Sequence, residues 1–421
     1  MQALLFSVLF ALSACSAVSD TKTLLAERDA QAAVADDSDP PAADCLTPRV
    51  SESPKNGSEL WLRALDGEGA LDTASVASDR FGNAYVTLAG GGTSKFSPSG
   101  DLIWSRPYGV LVAVGANDAP IVAGSFREAF EADGVPIVGA GGSDVYVLTL
   151  DSAGNVERST VLGGAGDELL SGLTTASGGR IVVSGSGLGT LMLEPGGAIA
   201  WQRSFAGAVA VDPVDNVLVT GSFEGTQDFG GGPLTSAGGR DIFLAKLGPD
   251  GEALYSARFG DSGANQEGTA VASDFLGNIL VAGLFDGSVD FGAGPLTLAR
   301  CPAEVWCKQA GFVAKLDANG SVLFSVARGP LRALGGLATD GNGSIAFSGA
   351  TPGGVPSYRI PLLVVLDAEG KELREKSEWP ASGVGSGRAL AGDPCGNWLW
   401  SISARPNLDS GERAYLAKLA P

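Results

Sequence analysis

The sequence predicts an all-β chain, a closed seven-bladed β-propeller built of four-stranded antiparallel blades. Three observations predict it. One phrase recurs from end to end, as "DVYVLTLDSAG" from Asp144, "DIFLAKLGPDG" from Asp241, "GFVAKLDANG" from Gly311, "LLVVLDAEG" from Leu362 and "AYLAKLAP" from Ala414. Self-similarity at a period of roughly fifty residues marks repeated supersecondary units, each too small to bury its apolar face alone. Glycine supplies 62 of the 421 residues, about twice the usual ~7%, as many tight turns with positive φ require. The two chain ends are also complementary: the last unit stops at Pro421 directly after its third strand, and a surplus strand stands near the front.

Each unit reads as four short strands. The first is an apolar run such as Thr269 to Ala272, joined by a turn (Asp274, Gly277, Asn278) to a second strand, Ile279 to Gly283. A variable excursion follows, then the recurring third strand, for example Phe312 to Leu316, a "DANG" or "PDG" turn, and a fourth strand that often carries an aromatic. Short runs rich in Val, Ile, Leu and aromatics, punctuated by Gly, Asp and Asn, are strand signals. No stretch after residue 60 shows helical periodicity. The residue ending the second strand counts the copies: Leu88, Gly124, Gly185, Gly221, Gly283, Gly349 and Ile402, hence seven units, of which two and three are degenerate at their first turn.

Ring closure is read from the ends. "NGSELWLRAL" from Asn56 matches the fourth strands "SGDLIWSRPY", "GGAIAWQRSF" and "DGEALYSARF", which places Trp61 beside Trp104, Trp201, Tyr255 and Phe324. Glu59 to Leu65 is therefore expected on the outside of the blade formed by Arg388 to Leu419. Completing one blade from both termini removes an exposed sheet edge. The competing arrangement is an open array with frayed ends.

The phrases "DPVDNVLVTGSFEGTQDFGGGPLTSAGGRDIFLAKLGPDGEALYSARFG" and "SDFLGNILVAGLFDGSVDFGAGPLTLA" resemble the bacterial seven-bladed β-propeller repeat family of secreted and lipid-anchored proteins. The resemblance covers residues 57–421, strongly in units four and five and in part in one, three and seven. It implies a fold and an extracytoplasmic setting, with no shared catalytic set to transfer.

The front of the chain reads as an address. Residues 1–14, "MQALLFSVLFALSA", form an apolar run too short to span a bilayer, ending in small residues. Leu12, Ser13, Ala14 and Cys15 resemble the bacterial lipobox, which implies cleavage before Cys15, acylation there and, with Ser16 following, the outer membrane or cell surface. Several acyl chains at ~0.8 kcal/mol per buried methylene make a durable anchor. An ordinary secretory signal with an incidental cysteine is the alternative. Residues 15–56, rich in Ala, Asp, Ser, Pro and Glu, bury too little surface to offset ordering entropy and read as a flexible acidic tether.

Cys45, Cys301, Cys307 and Cys395 remain, an even number that suits an oxidising compartment. Cys301 and Cys307 bracket one short loop. Cys395 lies in the first turn of unit seven and Cys45 shortly before that blade's closing strand, so Cys45–Cys395 and Cys301–Cys307 are the expected pairs. A four-thiolate zinc site lacks its usual close Cys pairs, and no metal or other cofactor is expected.

Charge and composition narrow the chemistry. A net charge of -19 argues against nucleic acid and against charge-driven adhesion to anionic lipid. No histidine occurs, which removes Ser-His and Cys-His nucleophiles, His metal sites and the usual general base. Paired carboxylates still permit a glycosidase-type reaction. Asp167, Glu168, Asp228, Asp261, Glu267 and Asp290 fall on the loops sharing one propeller face and are the candidate binding-face residues. Asp228 and Asp290 recur at one place in "QDFGGGPLT" and "VDFGAGPLT", and Asp79, Asp274 and Asp340 recur at the first turn, which marks both sets first as turn-formers. The glycine strings "AGGGTS" and "GGAGDE" read as hairpin loops. The favoured expectation is a monomeric, non-enzymatic envelope lipoprotein that binds protein or glycan through the excursions at Ser125 to Ser143, Ser222 to Arg240 and Leu284 to Ala310. The alternative is a carboxylate-dependent polysaccharide hydrolase or lyase.

Overall fold

Seven four-stranded antiparallel sheets succeed one another along the chain, each in the order in which its strands are made, except the last. The computed structural model describes residues 58–65, 73–298, 309–353, 359–377, 385–404 and 413–421. The expected signal peptide (residues 1–14), the expected tether (residues 15–56) and Cys15, Cys45, Cys301 and Cys307 lie outside the described residues. Blade four is representative: Ala208–Val211, Val217–Phe223, Asp241–Leu247 and Ala253–Phe259 run from the axis outward. The first strands neighbour one another around the axis, from Thr73–Ser78 through to Gly385–Gly392, which returns to Thr73–Ser78 and closes the circle. Among the described residues no helix is long and apolar enough to cross a membrane.

Blade seven is completed by the front of the chain. Gly385–Gly392, Trp398–Ala404 and Arg413–Leu419 are joined on the outside by Glu59–Leu65, with Trp61 opposite Lys418 and Leu65 opposite Ala414. The ladder extends to Ala420, whose N–H donates to the Ser58 carbonyl at 2.9 Å. A sheet edge that would expose unpaired backbone groups is thereby satisfied.

The core is distributed between blades. Seven apolar clusters each lie at one joint, and the last, containing Trp61, Leu65, Leu399 and Leu416 from blade seven and Val76, Val86 and Phe96 from blade one, spans the seam. The repeated aromatic of the fourth strand has a fixed task there. Trp61, Trp104 and Trp201 donate their Nε1 hydrogens to the carbonyls of Pro98, Ser152 and Pro249, in the turn between strands three and four of the next blade, at 2.9, 3.0 and 3.0 Å. Two residues on, Arg63, Arg106 and Arg203 donate from Nε to the carbonyls of Gly100, Gly154 and Gly251 in the same turns.

Those glycines are required twice over. Gly100, Gly154, Gly251, Gly320 and Gly370 all have φ between +81° and +88°, where a side chain is strained. A β-carbon added to them would also stand 2.8, 2.9, 2.6, 3.2 and 2.6 Å from the rings of Trp61, Trp104, Trp201, Tyr255 and Phe324. Turn and ring are thus one device, an aromatic lid on a bare backbone.

The excursions contain what sequence periodicity did not reveal, three small hairpins: Phe130–Ala132 with Val135–Ile137, Thr226–Asp228 with Pro233–Thr235, and Ser288–Asp290 with Pro295–Thr297. Strands of three residues carry too short an alternation to register as a pattern. One expectation is corrected: "GGAGDE", from Gly163, joins blade two to blade three and is not a hairpin. Trp61→Ala is expected to destabilise the ring by about 3 to 5 kcal/mol, read as a lowered urea midpoint, because it removes the ring over Gly100 and opens the seam. An unchanged midpoint would refute the closing role of this strand.

Candidate functional site

Antiparallel blades put two kinds of loop on each face. The turns joining strands one to two and three to four share one face, here the turn face; the excursions and the connections between blades share the other, the excursion face. Backbone bonds tie the excursion face together: Glu168 N–H donates to the Ser143 carbonyl at 2.6 Å and Gln266 N–H to the Arg240 carbonyl at 2.8 Å.

On the turn face the recurring Asp builds the hairpin. Oδ1 of Asp212 accepts N–H groups from Val214 and Asn216 at 3.0 and 2.9 Å, while Oδ2 accepts from Asn216 Nδ2 at 2.8 Å. The same bonding holds at Asp79, Asp274 and Asp393, and its backbone part at Asp340. This is the Asx-turn chemistry expected of that residue type. Sequence reasoning missed its partner, the lysine of the third strand, which stands in "AKL" in blades four, five and seven and in "SKF" in blade one. Lys95, Lys246, Lys315 and Lys418 reach Oδ2 of Asp79, Asp212, Asp274 and Asp393 at 3.7, 3.0, 3.0 and 2.7 Å, with the lysine side chains at most 9% and the aspartates at most 2% exposed. Lys246 and Lys315 donate further to the carbonyls of Ala318 and Ala368 in the next blade. Repetition of "AKL" beside a repeated turn Asp was the available signal; the distance of some thirty residues in sequence hid the pairing.

Burial pushes the Asp212 carboxyl up, but the bonds from Asn216 and Lys246 outweigh it and hold it below the usual carboxylate range. The same balance, with Ser288 and backbone donors, lowers Asp261.

Five of the six candidate carboxylates prove to be engaged in loop architecture. Oδ1 of Asp228 accepts from Gly230 and Gly232, and Oδ1 of Asp290 from Gly292 and Gly294, at 2.7 and 3.1 Å in both cases. Asp167 accepts from Ser143 N–H at 2.8 Å and pairs with exposed Arg127 at 2.9 Å. Glu168, buried, accepts from Gly164 N–H at 3.0 Å. Asp261 accepts from Ser288 N–H and Oγ at 3.0 and 2.6 Å and so ties blade five's hairpin to the connection before it. Glu267 lies on the innermost strand of blade five. Among the described residues no group of three Cys, Asp or Glu side chains is placed to hold a metal ion.

The bore is bland in charge. Across the seven innermost strands the charged residues are Glu267 and Arg388, in blades five and seven, with blade six between them. The other positions there are mostly Ala, Gly, Ser, Thr, Val and Leu. No pair of carboxylates with the spacing of a glycosidase faces the axis from these strands.

With this geometry established, comparison places the architecture. No protein-family model matches the chain. The WD40 repeats of RRP9 are similar in structure over 87% of this chain and 99% of theirs, with a TM-score of 0.54 and 11% identity. U3-55K matches over 85% and 98%, with a TM-score of 0.52 and 11% identity. The shared feature is the propeller. At such identity the likeness is one of fold. An uncharacterized WD repeat-containing protein of Acanthamoeba polyphaga mimivirus is 29% identical over 160 residues, which is 34% of this chain and 11% of that protein, so the match spans about a tenth of the relative's length.

Lys246→Met is expected to cost about 3 to 5 kcal/mol at neutral pH, because it strands a buried carboxylate. Wild-type Asp212, with its lowered folded value, contributes stability that is full above the unfolded carboxyl value near ~3.9 and lost as pH falls through the folded one. The difference between wild type and Lys246→Met in urea midpoint should therefore be largest above about pH 5 and shrink below about pH 4. A difference independent of pH would refute the ion pair's contribution.

Proposed function

We propose that this propeller is a non-enzymatic binding scaffold of the bacterial cell envelope, presenting the hairpin-bearing excursion face to a protein or glycan. The observation that carries the reading is the contrast between the two regions where propellers hold ligands. The innermost strands offer almost no charge, whereas the three excursions project hairpins, braced by Asp133 in blade two, Asp228 in blade four and Asp261 with Asp290 in blade five. Loops held on a rigid ring are where binding residues concentrate. The likeness to WD40 propellers supports a scaffold role and says nothing of the partner. A carboxylate-dependent hydrolase or lyase is less well supported, because all the candidate carboxylates but Glu267 are spent on turns and ion pairs, Glu267 is the one carboxylate on the innermost strands, and histidine is absent. The test is crosslinked capture from envelope fractions with the full chain and with a variant whose three hairpins are replaced by short turns. A partner retained by the first and lost by the second is expected. Equal capture by both, or turnover of any polysaccharide in a glycan panel, would overturn the reading.

The anchor belongs to the same proposal. Acylated Cys15 would hold the chain at the outer membrane, with residues 16–56 as a stalk, and Cys45 would pair with Cys395 beside the seam. Supporting this, Cys395 is engaged and stands in the Asp393 turn of blade seven, its N–H donating to Oδ1 at 2.9 Å, and the chain enters that blade's outer edge at Ser58. Intact mass and non-reducing peptide mapping of the membrane-extracted protein should show an acylated Cys15 and a Cys45–Cys395 crosslink. An unmodified Cys15, or Cys395 joined to another cysteine, would refute the respective part.

A further inference from the structure

The joint between blades two and three departs from the rest. Its apolar cluster, formed by Ile121, Val147, Leu162, Ile181, Leu191, Leu193 and neighbours, holds no aromatic ring, whereas the cluster at every other joint holds at least one. Strand register shows why. Lys95 stands opposite Trp104, Lys246 opposite Tyr255 and Lys315 opposite Phe324, but in blade two the same pair is Thr149 and Arg158. The first turn of that blade likewise lacks the buried Asp and contributes Gly115 and Ala119 at the same level. Lysine, aspartate and ring are lost together.

What they leave is a cavity of about 230 Å³ lined by, among others, Thr149, Arg158, Ile181, Leu193, Pro195 and Gly197. The receiving half of the device is intact. Gly197 occupies the place of Gly100, Gly154 and Gly251 and has φ +86°. The carbonyl of Pro195 occupies the place of the Pro98, Ser152 and Pro249 carbonyls that accept indole hydrogens elsewhere. Thr160 stands over this glycine, its Oγ1 2.7 Å from where a β-carbon on Gly197 would lie, and the flexible stem of exposed Arg158 borders the opening with Cδ 3.9 Å from the same point, so an incoming ring must turn the Thr160 hydroxyl aside. Such a stem can lift and lay its guanidinium on an incoming ring.

We propose that this seat binds a tryptophan side chain presented by a partner polypeptide, the ring entering over Gly197 and its N–H meeting the Pro195 carbonyl. The molecule itself defines the ligand's chemistry, because three sister joints seat an indole on the same turn. The seat lies on the turn face and stands or falls independently of the excursion face.

The probe is N-acetyl-tryptophanamide with the full chain, observed by saturation-transfer NMR beside N-acetyl-leucinamide, together with thermal unfolding. Transfer to the indole protons with little to the leucine methyls is expected. Arg158→Trp, which supplies the ring in cis, should raise the unfolding midpoint without ligand and abolish the transfer. Absent transfer, equal transfer to the leucine probe, or transfer undiminished in Arg158→Trp would overturn the proposal. If Arg158→Trp does not fold by circular dichroism, Arg158→Phe, the residue type seated at Phe324, replaces it in the same comparison.

Discussion

A ring of sheets holds together only if every sheet is joined to the next, and at five of the seven joints here the link is an aromatic side chain resting on a glycine of positive φ in the following blade. Trp61 on Gly100, Trp104 on Gly154 and Trp201 on Gly251 each add an indole hydrogen bond to a turn carbonyl, so burial and direction are supplied together. Tyr255 and Phe324 keep the packing without that bond. Where the sixth blade offers Arg374, it reaches the carbonyls of Ala420 and Pro421 and so grips the chain's last residues directly. The seam is therefore held from both sides: Trp61 fastens blade seven to blade one, and Arg374 fastens blade six to blade seven.

The buried aspartate and lysine pairs belong to the same joints. A lysine such as Lys246 neutralises the carboxylate that shapes its own blade's hairpin and spends another hydrogen on the next blade's turn. Burying such a pair is costly unless the remaining valences are satisfied, and here backbone N–H groups, an asparagine amide and a carbonyl satisfy them. The consequence is a rigid turn face made of short, heavily bonded loops. The excursion face is the variable one: its hairpins differ from blade to blade, and its carboxylates are bonded within their own turns, as at Asp228 and Asp290, or to neighbouring loops, as at Asp167 and Asp261.

Degeneracy in blades two and three shows how one repeat can depart from the pattern without breaking the circle. Asp118, at the first turn of blade two, turns outward to Arg80 of blade one, and Arg180 in blade three pairs with Asp215 of blade four. Surface pairs of this sort contribute little energy, and the joint between blades two and three relies on aliphatic packing. Loss of three residues that act together leaves room for a side chain.

Much of this was legible in the sequence because the features are local and repeated. Strand length, the Asp-x-x-Gly turns, the positive-φ glycines and the aromatic of most fourth strands recur at fixed offsets, and the match of Trp61's segment to those fourth strands was enough to place it beside Arg413–Leu419. Tertiary structure alone decided what depends on residues distant in the chain: that Lys246 faces Asp212, that the ring of one blade lies on the glycine of the next, and that Thr149 and Arg158 leave a cavity. A repeat specifies its own strands through neighbours a few residues away, whereas contacts between blades join positions about forty to seventy residues apart, and their geometry exists only once the circle has closed.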